Sequence, residues 1–209
     1  MKRYAFTMLE LVFVIIVIGI LAVLAMPSFN SNQLEQAAEQ VASHIRYTQH
    51  LAMTDDKYDP TDSTWYKLRW QIRFRQAAGE IQYAVFSNQN KDLNINCNAA
   101  TCAEPALDPL TGMPLFYVAS RPNDNMVLSN YGITALAISC NTDDNFAYAT
   151  RLGVLAFDNI GRPYRGIYDS NSPMQYLLTS DCTITLHHQT DGNATITVRP
   201  ETGYVSISY

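Results

Sequence analysis

Four carboxylates fall within eight residues at Asp55, Asp56, Asp59 and Asp62. Hard cations such as calcium take several carboxylate oxygens from one loop, so this set is a candidate calcium site and the one cofactor the residues suggest. Its spacing lacks the EF-hand pattern, and Asp-Pro and Asp-Ser neighbours are also what turns use, so a solvated turn is the preferred reading. The histidines offer less. His44 and His50 are six apart in a stretch of helical periodicity and point to different sides, while His187 and His188 are adjacent in a strand-like run and face opposite ways. Neither pair can share a metal as i, i+4 histidines do. There is no Gly-x-Ser-x-Gly, P-loop, dinucleotide fingerprint or zincin motif, so the chain is expected not to be an enzyme.

Lys67, Arg69 and Arg73 alternate with Tyr66, Leu68, Trp70, Ile72 and Phe74. A basic strip beside aromatics can hold nucleic acid, which makes these three the candidate DNA-binding residues. The plainer reading is the solvent face of a half-buried strand whose long stems cover apolar surface, and it is preferred. Formal net charge agrees with it: at -5, or -7 without Lys2 and Arg3, the surface as a whole repels phosphate.

The residue that most needs an explanation is Glu10. From Leu11 to Met26 no residue is charged, yet Glu10 sits inside the same apolar pattern, preceded by the basic leader Met1-Lys2-Arg3-Tyr4-Ala5. A carboxylate at membrane depth costs a few kcal/mol or more, so it implies a function and a cationic partner. Counted from Phe6, the apolar run to Pro27 is just long enough to cross a bilayer as a helix, with Lys2 and Arg3 holding its start on the cytoplasmic side. The rest of the chain would then lie outside the cytoplasm. A secretory signal cut after Val23-Leu24-Ala25, or a plain signal anchor, would also give a basic start and an apolar core, but neither explains Glu10.

Ala5-Phe6-Thr7-Met8-Leu9-Glu10-Leu11, the apolar run and Pro27 resemble the class III leader and N-terminal helix of type IV pilins and type II secretion pseudopilins. The resemblance implies cleavage by prepilin peptidase at Ala5/Phe6, N-methylation of the new amine and retention of the apolar segment. The family usually has Gly before the cut, from which Ala5 departs. It also supplies the missing cation, because Glu10 matches the family Glu that pairs with the N-terminal amine of a neighbouring subunit. A desolvated carboxylate is costly alone and favourable against a close ammonium. Implied partners are other pilin or pseudopilin subunits, the prepilin peptidase and the inner-membrane assembly platform. The implied location is the bacterial inner membrane, single-pass with the head in the periplasm, and then a pilus or pseudopilus. The alternative on the same scaffold is a head that binds DNA for uptake or a surface ligand.

The elements that would carry these residues follow from periodicity. The resemblance makes residues 1–5 the leader, and 6–27 read as a hydrophobic helix. In 28–54, Leu34, Ala37, Ala38, Val41, Ile45, Thr48 and Ala52 form one stripe, which makes this the amphipathic half of the same helix, with Pro27 marking a kink. Residues 55–209 form a β-rich head. A hairpin over 66–87 opens it, and an irregular loop over 88–114 is rich in Asn and Pro. Eight short runs follow: 115–119, 126–129, 133–139, 153–157, 175–178, 183–188, 194–199 and 204–209. The expected class is α+β, a long N-terminal helix packed on an antiparallel β-sheet or β-sandwich head. Leu155 to Pro163 and the closing runs Ile196-Thr197-Val198 and Thr202 to Ile207 are similar to minor pilins of the pseudopilin H and FimT/FimU group.

The cysteines lack zinc-site spacing, and outside the cytoplasm two disulfides suit them better. Of three connectivities, Cys97 with Cys102 and Cys140 with Cys182 is preferred, because it staples the loop locally and ties the middle of the head to its C-terminal sheet.

Overall fold

The computed structural model describes residues 7–25, 32–89, 91, 104–118, 121–140, 151–166 and 171–209. They belong to two units, one ending at Asn32 and one running from Gln33 to Tyr209. The first contributes the helix α1, Met8–Ala25. The second begins with α2, Gln33–Thr54. Where one helix over 6–54 was expected, two are found, and residues 26–31, Pro27 among them, lie outside the described set.

α2 forms where the sequence places an amphipathic stripe. Leu34, Ala37, Ala38, Val41, Ile45, Thr48 and Ala52 are all buried, joined by Ala42. The small residues in the stripe let the helix approach the sheets closely, and Ile45 supplies its bulk; truncating such a side chain to Ala costs about 2–5 kcal/mol. The helix stops where aspartates offer the backbone other partners. Asp56, Asp59 and Asp62 accept the N–H of Tyr58, Thr61 and Thr64 through their side chains, the short-range bonds that compete with helix. Bonds of i to i+3 type then continue through a 3-10 turn at Trp65–Leu68.

Eleven strands follow among the described residues. They are β1 Trp70–Ala77, β2 Glu80–Ser87, β3 Glu104–Pro105, β4 Tyr117–Val118, β5 Arg121–Pro122, β6 Ile133–Ile138, β7 Arg151–Phe157, β8 Pro163–Arg165, β9 Cys182–His188, β10 Asn193–Val198 and β11 Val205–Ser208. All their pairings are antiparallel. One sheet runs β3-β2-β1-β7-β8 and a second runs β11-β10-β9-β6, with β4-β5 a separate pair. α2 packs on both larger sheets, and one apolar core joins its stripe to Ile72, Phe74 and Tyr83 of the first and Ile184, Leu186 and Ile196 of the second. The class is therefore α+β, a helix packed on antiparallel sheets.

Three expected strands took other forms. The first strand begins at Trp70 rather than Tyr66, because the Asp62 turn winds on into the 3-10 segment. Residues 126–129 fall across two 3-10 turns, Asp124–Met126 and Leu128–Tyr131, with Val127 between them making a single bridge to Gln82. Asn123 opens the first by accepting the N–H of Asn125, and Gly132, at φ 72°, closes the second. Residues 175–178 contribute a single bridge, Leu177 to Tyr164. The irregular segment 88–114 is described at 88, 89, 91 and from 104, where β3 and a turn closed between Asp108 and Met113 give it local order.

Candidate functional site

α1 starts at Thr7. Its Oγ1 accepts the N–H of Glu10 at 3.3 Å and its carbonyl accepts the N–H of Leu11 at 3.2 Å, which satisfies donors that a helix start leaves unpaired. Thr7-x-x-Glu10 is the spacing of a capping box, and its Thr half is the one made here, a cap that sequence reasoning missed although the signal was there. The carboxylate also lies in the first turn, where the helix dipole favours an anion. Glu10 is exposed.

The rest of α1 is apolar on every side. Met8 is 87% exposed, and Leu9, Phe13, Ile16 and Leu21 are more than half exposed, with no polar stripe opposite them. A helix of this kind needs an apolar surrounding on all faces. Among the described residues no helix is long and apolar enough to cross a membrane. The 18 residues of α1 rise about 27 Å against a hydrocarbon core of about 30 Å. The span expected over 6–27 continues past both ends of α1 into residues outside the described set, as do Ala5 and Phe6 at the expected cleavage point.

The basic strip at Lys67, Arg69 and Arg73 is not presented to solvent. Lys67 lies in the 3-10 turn and is half-buried, while Arg69 and Arg73 are 5% and 2% exposed. Both faces of β1 are covered, so alternation here marks two buried environments instead of one buried and one wet. The Arg69 guanidinium lies 4.1 Å from the Tyr164 ring centroid and 5.2 Å from that of Trp65, and donates to the carbonyl of Pro173 at 2.9 Å. Burial lowers its pKa. A phosphate backbone has no access to such a group, so the DNA-binding expectation loses two of its three residues.

The four aspartates of the candidate calcium set are spent on protein donors. Asp55 accepts Trp70 Nε1 at 2.9 Å and pairs with Lys57 at 2.5 Å. Asp56 takes Tyr58 N and Asn159 Nδ2, Asp59 takes the N–H and hydroxyl of Thr61, and Asp62 takes Thr64 and the Lys91 ammonium. The Lys91 and Thr64 bonds hold the Asp62 carboxyl at a pKa of about 2. Among the described residues no group of three or more His, Cys, Asp or Glu is placed to hold a metal. The turn reading describes these aspartates.

Cys140 and Cys182 are disulfide-bonded, with Cα atoms 5.0 Å apart, and join the end of β6 to the start of β9. Cys97 and Cys102 lie outside the described residues.

Two polar clusters were not legible beforehand. Asp158, its side chain 2% exposed, accepts Arg162 Nε at 2.8 Å, the Tyr164 hydroxyl at 3.1 Å and the N–H of Ile160 and Arg162, which fixes the turn between β7 and β8. On the other side of the sheet, Gln40 of α2 donates to the Tyr83 hydroxyl at 2.8 Å and to the carbonyl of Asn125, and accepts from the Tyr131 hydroxyl at 2.9 Å. The hydroxyl hydrogen of Tyr83 then goes to His44 Nδ1 at 2.7 Å, which leaves the His44 proton on Nε2. Burial lowers the His44 pKa against the opposing charge of Asp108 and pushes the Tyr83 phenol well above its ordinary value. Both clusters fasten elements together.

The chain matches no family model, no curated protein and no solved structure.

Proposed function

We propose that the chain is a structural subunit, a minor pilin or pseudopilin, of a type IV pilus or type II secretion pseudopilus. Prepilin peptidase would cleave it at Ala5/Phe6 and methylate the new amine. The apolar helix would anchor it in the inner membrane with the head in the periplasm, until the assembly platform moves it into the filament. The observation that carries this reading is the pairing on α1 of an apolar surface exposed on all sides with one carboxylate in the first turn. In a filament the neighbouring helices would cover that surface, and the amine of the next subunit would neutralise Glu10. Its role would be assembly, with no catalysis.

The Cys140–Cys182 disulfide supports an oxidising destination for the head, since such bonds persist in the periplasm and are rare in the cytosol. Sequencing the N-terminus of the protein recovered from membranes tests the processing step. A methylated Phe6 is expected, and a start at Met1 or Met26 would refute it.

A further inference from the structure

The hairpin of β9 and β10 carries the pentapeptide Asp191-Gly192-Asn193-Ala194-Thr195. Asn-x-Ser/Thr, with x other than Pro, is the acceptor pattern for N-linked glycosylation, and Asn193 is the one asparagine of the sequence that stands in it. Asp191 adds the acidic residue two places earlier that bacterial oligosaccharyltransferases also read, a charge that a cationic pocket can hold. With 19 acidic residues in 209, composition alone would put one there about once in eleven such patterns.

The fold presents this stretch at the surface. Asp191, Gly192 and Asn193 are exposed at the turn, and Thr195 is half-buried. Residues two apart in a strand share a face, so Asn193 and Thr195 both look away from the core that takes Ala194 and Ile196. A transferase that must meet the amide and the hydroxyl together finds them on one side. His187 Nδ1 donates to Asn193 Oδ1 at 2.8 Å. The amide oxygen is thus the bound end, and the amide nitrogen, the atom that would take a sugar, has no partner among the described residues. The Asp191 carboxylate accepts the Thr190 hydroxyl at 2.8 Å and stays exposed, while the Thr195 hydroxyl meets that of Thr185 at 3.3 Å. Turn chemistry accounts for Asp191-Gly192 and strand propensity for Thr195. An acceptor site accounts for both together with the free amide nitrogen between them.

We propose that Asn193 is an N-glycosylation site whose nitrogen takes an oligosaccharide from a polyprenyl diphosphate donor. The Nδ2–C1 bond forms as the C1–O bond to the diphosphate breaks; the electron pair leaves with the lipid diphosphate and one amide proton is released. The proposal rests on the periplasmic head of the function proposed above and on nothing about filaments. The Cys140–Cys182 bond serves as the marker of that location, and Cys182 pairs with Val198 in the same hairpin.

The full-length protein, recovered from membranes of the cells that make it, would be digested without reductant and its peptides sequenced by electron-transfer mass spectrometry, which leaves sugars attached. An oligosaccharide mass is expected on Asn193, absent from Asn193→Gln and Thr195→Val and retained in Thr195→Ser. Asp191→Asn is expected to lower occupancy about tenfold, the loss of one charge-assisted contact. The same digest shows whether the disulfide is formed. A bare Asn193 beside an intact Cys140–Cys182 bond overturns the proposal and leaves the periplasmic head standing, whereas a bare Asn193 beside free thiols overturns both. Sugar found on the Thr195 hydroxyl, or unchanged occupancy in Thr195→Val, also overturns it.

Discussion

Thr7 Oγ1 accepts the backbone N–H of Glu10 at 3.3 Å, so the residue whose carboxylate is proposed for assembly also has its backbone held by the cap that opens α1. The cap uses the Glu10 backbone and assembly its carboxylate, so the two contributions can be removed one at a time. Thr7→Val separates them. It is expected to cost about 1 kcal/mol of helix stability by loss of the cap, seen as fraying at α1 by hydrogen exchange, while filament incorporation stays near normal. If Thr7→Val blocks incorporation as strongly as loss of the Glu10 charge, capping is the function and the ion-pair account fails.

Gln49 joins the two sheets from α2. Its Nε2 donates to Gly161 O at 2.9 Å, in the β7–β8 turn, and to Thr202 O at 2.8 Å, in the β10–β11 turn. Gln49→Ala is expected to lower stability by about 1 kcal/mol, read as a shift of the urea midpoint at constant slope. Gly203 packs beneath it at φ 64°, where an added Cβ would lie 2.5 Å from Gln49 Nε2 and 2.7 Å from Gly161 O. Gly203→Ala should cost at least as much, about 1–2 kcal/mol from the left-handed backbone before the steric contact is added.

His44 predicts a pH dependence. Burial lowers its pKa in the folded head below the ordinary 6.5, so between the two values the unfolded chain binds the extra proton. Its contribution is complete above pH 6.5 and is lost as pH falls through the folded value. Protonation would also force a second donor on the Tyr83 hydroxyl, leaving the hydroxyl's own hydrogen unpaired. Carboxylates held below the ordinary aspartate value, Asp55, Asp59, Asp62 and Asp108, act in a lower window, since their contributions disappear only as pH falls through pKa values under 3.8. Urea midpoints measured from about pH 7.5 down to about pH 5 should fall in the parent and fall less in His44→Leu, at whatever absolute stability that variant has.

The Cys140–Cys182 bond closes 42 residues, for which chain-entropy arguments give about 4 kcal/mol. The double variant Cys140→Ala/Cys182→Ala should lose stability of that order in urea melts. Added reductant should then have a much smaller effect on it than on the parent.

Periodicity made the buried stripe of α2 legible from Leu34 to Ala52, because one helix face meets one core and the small and branched residues record that contact. It made β1 legible as a strand but not as a buried one. The alternation of Ile72 and Phe74 with Arg73 is real, while the groups that bury Arg69 just before the strand, the Tyr164 ring and the Pro173 carbonyl, come from distant segments that no local pattern announces. The same limit hid Asp158 and Gln40, whose partners converge only once the sheets are formed. The cap at Thr7 is a different case, because Thr-x-x-Glu is a local signal that needs no tertiary partner.

The claim that matters most is that α1 assembles through the charge of Glu10. Glu10→Gln keeps a side chain that the capping box accepts and removes only the charge. Co-expressed with the unsubstituted chain, it would be quantified by mass spectrometry in sheared filaments relative to membranes. An unpaired N-terminal amine left in an apolar filament core costs about 3 kcal/mol, so incorporation is expected to fall by roughly 100-fold. Incorporation of Glu10→Gln at the level of the unsubstituted chain would contradict the account.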